Sequence, residues 1–349
     1  MARQPFGAFF IAFPTSRRHF DARAAEGMVA MAQTALRRDR GPDLSPWLQA
    51  QAALAVALAD AALAVGQLDA IMQAMGDAQR QAATRRLALI EVEAMLWSQG
   101  MVLGREDIGR DLMEARAGSD LEAMRLARWA IRRLEGQGRL NDLRGFLGLY
   151  RGTETGAGDL VQRLQGDEFD AAASGFLALS EGLGALHPFA RAPLQQVLWR
   201  MAELSAIGQP AEVAVWCARA MAAPCAALVF APLGRHGRGI WQAGGAPDQR
   251  LALHLQALRH GACDAARHLL QLSEWAERAR RESACIRGPN PGRVIAVLAA
   301  QPLVSAPMVE EQAGISRITA ERMLNRLTGM GLLREVTGTT RFRLWRADL

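Results

Sequence analysis

Between Ile315 and Arg346 seven arginines (Arg317, Arg322, Arg326, Arg334, Arg341, Arg343 and Arg346) stand against two glutamates, Glu321 and Glu335. A guanidinium keeps its charge at any physiological pH and presents its donors as a planar fork. It can therefore bridge phosphate oxygens or the O6/N7 edge of guanine. Within the same stretch Ala320, Leu324 and Leu327 recur at i, i+4 and i+7, the spacing of an inward helical seam. That seam turns Arg317, Thr319, Arg322, Asn325 and Arg326 outwards. Asn carries the donor and acceptor pair that adenine matches, and Thr and Arg reach phosphates. The chemistry open to such a face is recognition of a polyanion, with duplex DNA as the expected partner. A following hairpin would bring Thr339, Arg341 and Arg343 against the backbone beside the groove.

The elements that must position this face are short and well punctuated. Arg287-Gly-Pro-Asn-Pro-Gly292 holds two Pro and two Gly and marks a boundary. After it the pattern predicts an apolar helix over Arg293–Ala299 and a second over Met308–Ala313, opened by Ser305-Ala-Pro307. In Gly314-Ile315-Ser316, Gly supplies a positive φ, Ile plugs the core and Ser caps the next helix, Arg317–Met330. Gly331–Val336 and Arg341–Trp345 alternate as strands around a turn containing Gly338. This order, Gly-Ile-Ser-x-x-Thr-Ala with Leu324 and Leu327 and then Gly-Leu-Leu and a Thr-Gly hairpin, resembles the winged helix-turn-helix domains of bacterial regulators.

The remainder reads as a helical body. Ala and Leu are abundant, one Tyr is present, and period-2 runs are scarce. The expected fold is mainly α: a multi-helical bundle over 1–286, with a joint at 136–160, followed by a winged helix-turn-helix over 287–349. Helices are predicted at Phe20–Arg38, from Ser45 to about Val65, Asp69–Gly76, Gln79–Gln99, Leu121–Glu135, Gly166–Leu183, Ala192–Ala206, Ala211–Ala222, Asp248–His260 and Cys263–Ala284. All the basic residues are Arg, and the net charge of +6 suits an anionic partner. Cys217, Cys225, Cys263 and Cys285 are widely spaced, as expected of reduced thiols. The N-terminus lacks a signal-peptide pattern, and the apolar run Ala52–Val65 is short for a bilayer. A cytoplasmic location without membrane attachment is the expectation.

A second set of residues points to different chemistry. His187-Pro188-Phe189, at the start of a helix, resembles the opening of the Fic-family motif, in which the His is the general base for transfer of AMP. The resemblance implies His187 as a vestigial site residue, with Arg191 as an anion contact. Ala190-Arg191-Ala192-Pro193 replaces the acidic residue and the phosphate-cradling glycines that the motif requires. Over most of its length the chain is similar to an alphaproteobacterial family, often plasmid-borne, that joins a helical domain of unknown function to a C-terminal helix-turn-helix. The segments carrying that similarity are Ala94-Met-Leu-Trp-Ser98, Leu186–Ala192 with Leu198-Trp199, and the winged-helix segment.

Other clusters read as structure. His254, His260, Cys263 and His268 fall on different helical faces without paired thiolates, so no metal is expected. Gly234-Arg-His-Gly-Arg-Gly239 matches no Walker or dinucleotide pattern and reads as a solvated loop. Glu91, Glu93, Glu106 and Asp107 offer carboxylates that nothing makes converge. Arg125, Arg128, Arg132 and Arg133 form a solvated basic stripe. The leading expectation is a DNA-binding transcriptional regulator without a cofactor and without catalysis. It would act as a homodimer, its helical part answering to a small-molecule or protein effector. The alternatives are a diverged Fic-like nucleotidyl transferase and a protein-binding adaptor.

Overall fold

The computed structural model describes residues 42–101, 103–112, 121–149, 163–206, 209–240, 244–337 and 343–349. The helix predicted at Phe20–Arg38 lies outside them. Among the described residues the body contains α1 (Ser45–Ala53), α2 (Ala55–Gln73), α3 (Asp77–Ser98), α4 (Arg105–Leu112), α5 (Leu121–Leu134) and α6 (Leu143–Leu147). It continues with α7 (Gly166–Glu181), α8 (Pro188–Met201), α9 (Ala211–Met221) and the long α10 (Pro247–Glu282). The C-terminal segment follows as α11 (Asn290–Ala300), β1 (Val304–Ser305), α12 (Ala306–Ala313), α13 (Arg317–Gly329), β2 (Leu333–Glu335) and β3 (Leu344–Ala347). The fold is mainly α, a helical bundle followed by a helix-turn-helix with a small sheet.

Several boundaries differ from the sequence reading, among them the helix expected from Ser45 to about Val65, which breaks at Leu54. Gly261 does not end a helix: α10 runs straight through it. A Cβ there would stand 2.3 Å from the Pro232 carbonyl oxygen and 2.7 Å from the Leu233 backbone. The glycine serves a close approach of helix and loop, a role its neighbours in sequence do not reveal. Gly66 likewise leaves α2 unbroken, so the separate piece expected at Asp69–Gly76 is the end of that helix. Finally, α8 starts at Pro188 rather than Ala192, with Pro in the first turn where a missing N–H costs no bond.

Buried carboxylates organise the body loops. Asp69 on α2 accepts from the N–H groups of Ala226, Ala227 and Leu228 at 2.8–3.1 Å. Glu91 on α3 accepts from Leu233 N–H and from Gly234 N–H at 2.6 Å. The glycine-rich loop that looks fit for a phosphate thus spends two amides on an internal anion. Helix α2 is long and apolar enough to cross a membrane. Here its Ala61, Leu68 and Met72 are buried, and Asp60 meets Arg259 of α10 at 3.4 Å.

The C-terminal segment builds its own core. Leu272, Trp275, Ala276 and Ala279, on the last turns of α10, cluster with Val294, Leu298, Val309, Leu324, Leu327 and Trp345. The Trp275 indole N–H donates to the Leu332 carbonyl at 2.8 Å. A short strand that sequence patterning did not flag, β1, joins the hairpin in an antiparallel sheet of order β1-β3-β2. Val304 faces Trp345, and Leu333 faces Ala347. The start of α11 also differs from expectation: Asn290 and Pro291 lie within the helix, because Pro is tolerated in a first turn.

One buried side chain fastens this segment to the body. Arg86 of α3, only 4% exposed, donates to the carbonyls of Leu298, Ala299 and Gln301 at the end of α11. The last carbonyls of a helix lack intrahelical partners, and a cation also complements the negative end of its dipole. Beside it Arg85 pairs with Glu135 at 3.0 Å and donates to the Gln301 side chain at 3.2 Å. Gly109 of α4 accommodates Leu303: a Cβ at this glycine would lie 2.2 Å from the leucine methyl.

Candidate nucleic-acid interface

The turn between α12 and α13 forms as its residues dictate. Gly314 takes φ +61°, a left-handed conformation that suits glycine. Ile315 packs against the C-terminal core. The Ser316 hydroxyl accepts from Thr319 N–H at 3.4 Å and caps α13. Ser305 caps α12 in the same way, accepting from Met308 N–H. Ala320, Leu324 and Leu327 are fully buried, so α13 is fixed in rotation.

That rotation sets the outward face. Arg317, Arg322, Asn325 and Arg326 are exposed, and Thr319 is half-buried with its hydroxyl 2.9 Å from that of Ser316. The Arg322 and Arg326 side chains make no ion pair or hydrogen bond among the described residues. Arg317 meets Glu321 at 2.8 Å, an exposed i,i+4 pair. Such a pair is worth about 0.3–0.5 kcal/mol, which a phosphate can readily replace.

Arg343 is held more firmly. It pairs with Glu335 across the hairpin, donates to the Asn325 side-chain oxygen at 3.1 Å, and stacks over Trp345 with its charge 4.8 Å from the ring centre. The hydrogen bond and charge of Arg343 hold the Glu335 carboxyl below the usual range. Arg343 and Asn325 therefore tie α13 to the sheet and are half-occupied by that task. Thr339 and Arg341 lie outside the described residues. Arg334 and Arg346 sit opposite each other on β2 and β3.

Ile318 was not among the expected contacts. It lies in the first turn of α13 with 78% of its surface exposed. Its position between Arg317 and Thr319, outside the buried seam, was the available signal, since a stripe of period 3.6 leaves it outside. An exposed aliphatic group at a helix start can touch a thymine methyl.

Residues 292–346 match the HTH DNA binding domain family. The helix-turn-helix domain so defined runs from α11 through β3 and contains every outward residue named above. Over part of its length the chain is similar to a solved Fic family protein from Desulfovibrio desulfuricans G20. The identity is 12%, 84% of this chain and 96% of that one are covered, and the TM-score is 0.45. No curated protein matches the chain.

His187 and Arg191 are brought together at the start of α8. The His187 ring nitrogen Nδ1 accepts from Phe189 N–H at 3.2 Å, which makes it the helix cap, and its ring meets that of Phe189 edge-on. Burial, with a smaller effect of Arg191, lowers its pKa. Arg191 donates to the carbonyls of Leu186 at 2.7 Å and Gly184 at 3.2 Å. Its guanidinium is engaged with the preceding loop rather than turned towards an open anion site.

The four residues with metal-ligand chemistry all lie on α10. His254 is fully buried with Nε2 3.2 Å from the Met221 sulfur, and burial drops its pKa to about 4. His260 packs against His236. Among the described residues no three of His, Cys, Asp or Glu converge as ligands. Of the carboxylates noted in sequence, Glu91 caps the 233–234 turn, Glu93 pairs with Arg105 at 2.6 Å, and the Glu106 side chain lies outside the description.

Proposed function

We propose that this chain is a transcriptional regulator that reads duplex DNA through α13. The observation that carries the reading is the pair Arg322 and Arg326, exposed and unpartnered among the described residues, on a helix whose opposite face is buried in a DNA-binding family domain. In that reading the N-terminal turns of α13 enter the major groove, where Arg317, Ile318 and Arg322 meet base edges and phosphates. Arg326 and the β2–β3 hairpin, with Thr339, Arg341 and Arg343, contact the flanking backbone as a wing. Asn325 reads adenine once DNA competes for Arg343.

One such domain covers few base pairs, so a homodimer on paired half-sites is the expected working form. The helical body, about 1–286, supplies the partner contact and the response to an effector, and the cytoplasm is its place of action. Mapping of the DNA fragments retained by the intact protein tests this. Recovery of a discrete set of sites sharing a motif, abolished by Arg322→Ala, is expected. Retention of no fragment, or of all fragments equally, contradicts it.

A further inference from the structure

A cavity of about 240 Å³ lies where the body meets the helix-turn-helix domain. Its walls come from both: α3, α4 and α10 on one side, the α11–β1 link and β3 on the other. Arg86, Arg105, Arg346 and His268 line it, together with the aliphatic Leu89 and Leu303. Acid is present as well: Asp348 is in the wall, and Glu93 pairs with Arg105.

The donors are not all spent. Arg86 uses Nε and Nη2 on the α11 carbonyls, and no described residue accepts from its Nη1. Neither ring nitrogen of His268 has a described hydrogen-bond partner. Burial, aided by the charges of Arg86 and Arg105, drops the His268 pKa to about 4. The ring is therefore neutral at pH 7, with one nitrogen free to donate. A guanidinium with an unspent donor at the wall of a cavity can take a further acceptor there, and a carboxylate supplies one.

We propose that this cavity binds a small organic carboxylate and that its occupancy regulates DNA binding. The carboxylate meets Arg86, Arg105 and Arg346, while the apolar remainder lies against Leu89 and Leu303. The volume equals roughly eight water volumes at ~30 Å³ each, room for one ring or a short branched chain. A ligand touching both walls changes the balance between docked and loosened helix-turn-helix, and such coupling acts reciprocally on DNA and ligand. The regulatory half rests on the DNA-binding reading above; the binding half does not.

Titration calorimetry on the full chain, with benzoate as probe and benzamide as its neutral counterpart, separates them. Benzoate should bind one per chain, at least about tenfold tighter than benzamide, and Arg105→Gln and Arg346→Gln should each weaken it about tenfold. Arg238→Gln, an exposed arginine outside the cavity wall, should leave binding unchanged, and circular dichroism should show all three variants folded. Absence of benzoate binding at millimolar concentration, equal binding of benzamide, or indifference to both cavity variants overturns the site, whatever the protein does with DNA. Benzoate binding that leaves the affinity for a mapped DNA site unchanged overturns the regulation.

Discussion

Arg86 and Glu91 stand five residues apart on α3 and hold opposite ends of the architecture. Arg86 satisfies three carbonyls of the DNA-binding domain, and Glu91 satisfies two amides of a body loop. Replacing Arg86 by Leu leaves buried acceptors unpaired, at a cost of about 3 kcal/mol. Hydrogen exchange should rise first at the amides of α11, while α2 keeps its protection. Glu91 yields a pH prediction. Burial pushes its carboxyl up to about 7 from 4.5, against the pull of the Leu233 and Gly234 amides. A raised folded-state value means the folded chain binds the extra proton between those limits, so this contribution to stability is full below about 4.5 and is lost as pH rises through about 7. The stability of Glu91→Gln relative to the parent should therefore climb with pH across that window in denaturant titrations. The buried histidines slope the other way, but both proteins share them and they cancel in the difference. A flat difference would show that Glu91 is ionised throughout. Neither residue's role was legible in sequence, because the partners lie 142 to 215 residues away. The Ser316 cap and the Gly314 turn were legible because their partners are neighbours.

At the scale of elements, sequence periodicity found most helices and misjudged those interrupted by glycine. In α10 the glycine answers to a loop packed across the helix, and periodicity along one helix contains no information about that loop. Gly261→Ala should destabilise despite the gain of about 1 kcal/mol in helix propensity, because its Cβ would overlap the Pro232 and Leu233 backbone. Gly66→Ala, in α2 with nothing within 4 Å of the added carbon, should stabilise by about 0.5–1 kcal/mol. Thermal melts of the two variants should move in opposite directions; a common direction would refute the close-approach account. β1 escaped detection for a related reason, since a two-residue strand has no period and exists through its pairing with β3. Most of helix α13 was readable, as its buried seam and exposed face both repeat locally; Ile318 on the exposed face and Met323 in the seam were not. The clamp of Arg343 on Glu335 and Asn325 was not, since it depends on how the sheet sits against α13.

In the whole molecule, the helical body and the DNA-binding domain are joined by α10, whose last turns belong to the second core, and by Arg86. An attachment of this kind gives events in the body a physical route to α13, which the proposal of a regulator requires. The central claim is electrostatic: the exposed guanidiniums of α13 displace counterions from phosphates. It is tested most directly by measuring the affinity of the intact protein for a mapped duplex across a series of salt concentrations, alongside Arg322→Ala with Arg326→Ala. The logarithm of the binding constant should fall linearly with the logarithm of salt. The double variant should show a slope shallower by about 1.8 for each subunit bound, close to 0.9 for each phosphate that is no longer neutralised, and so by about 3.6 for a homodimer on paired half-sites. An affinity indifferent to salt, or a slope that the double variant leaves unchanged, would contradict it.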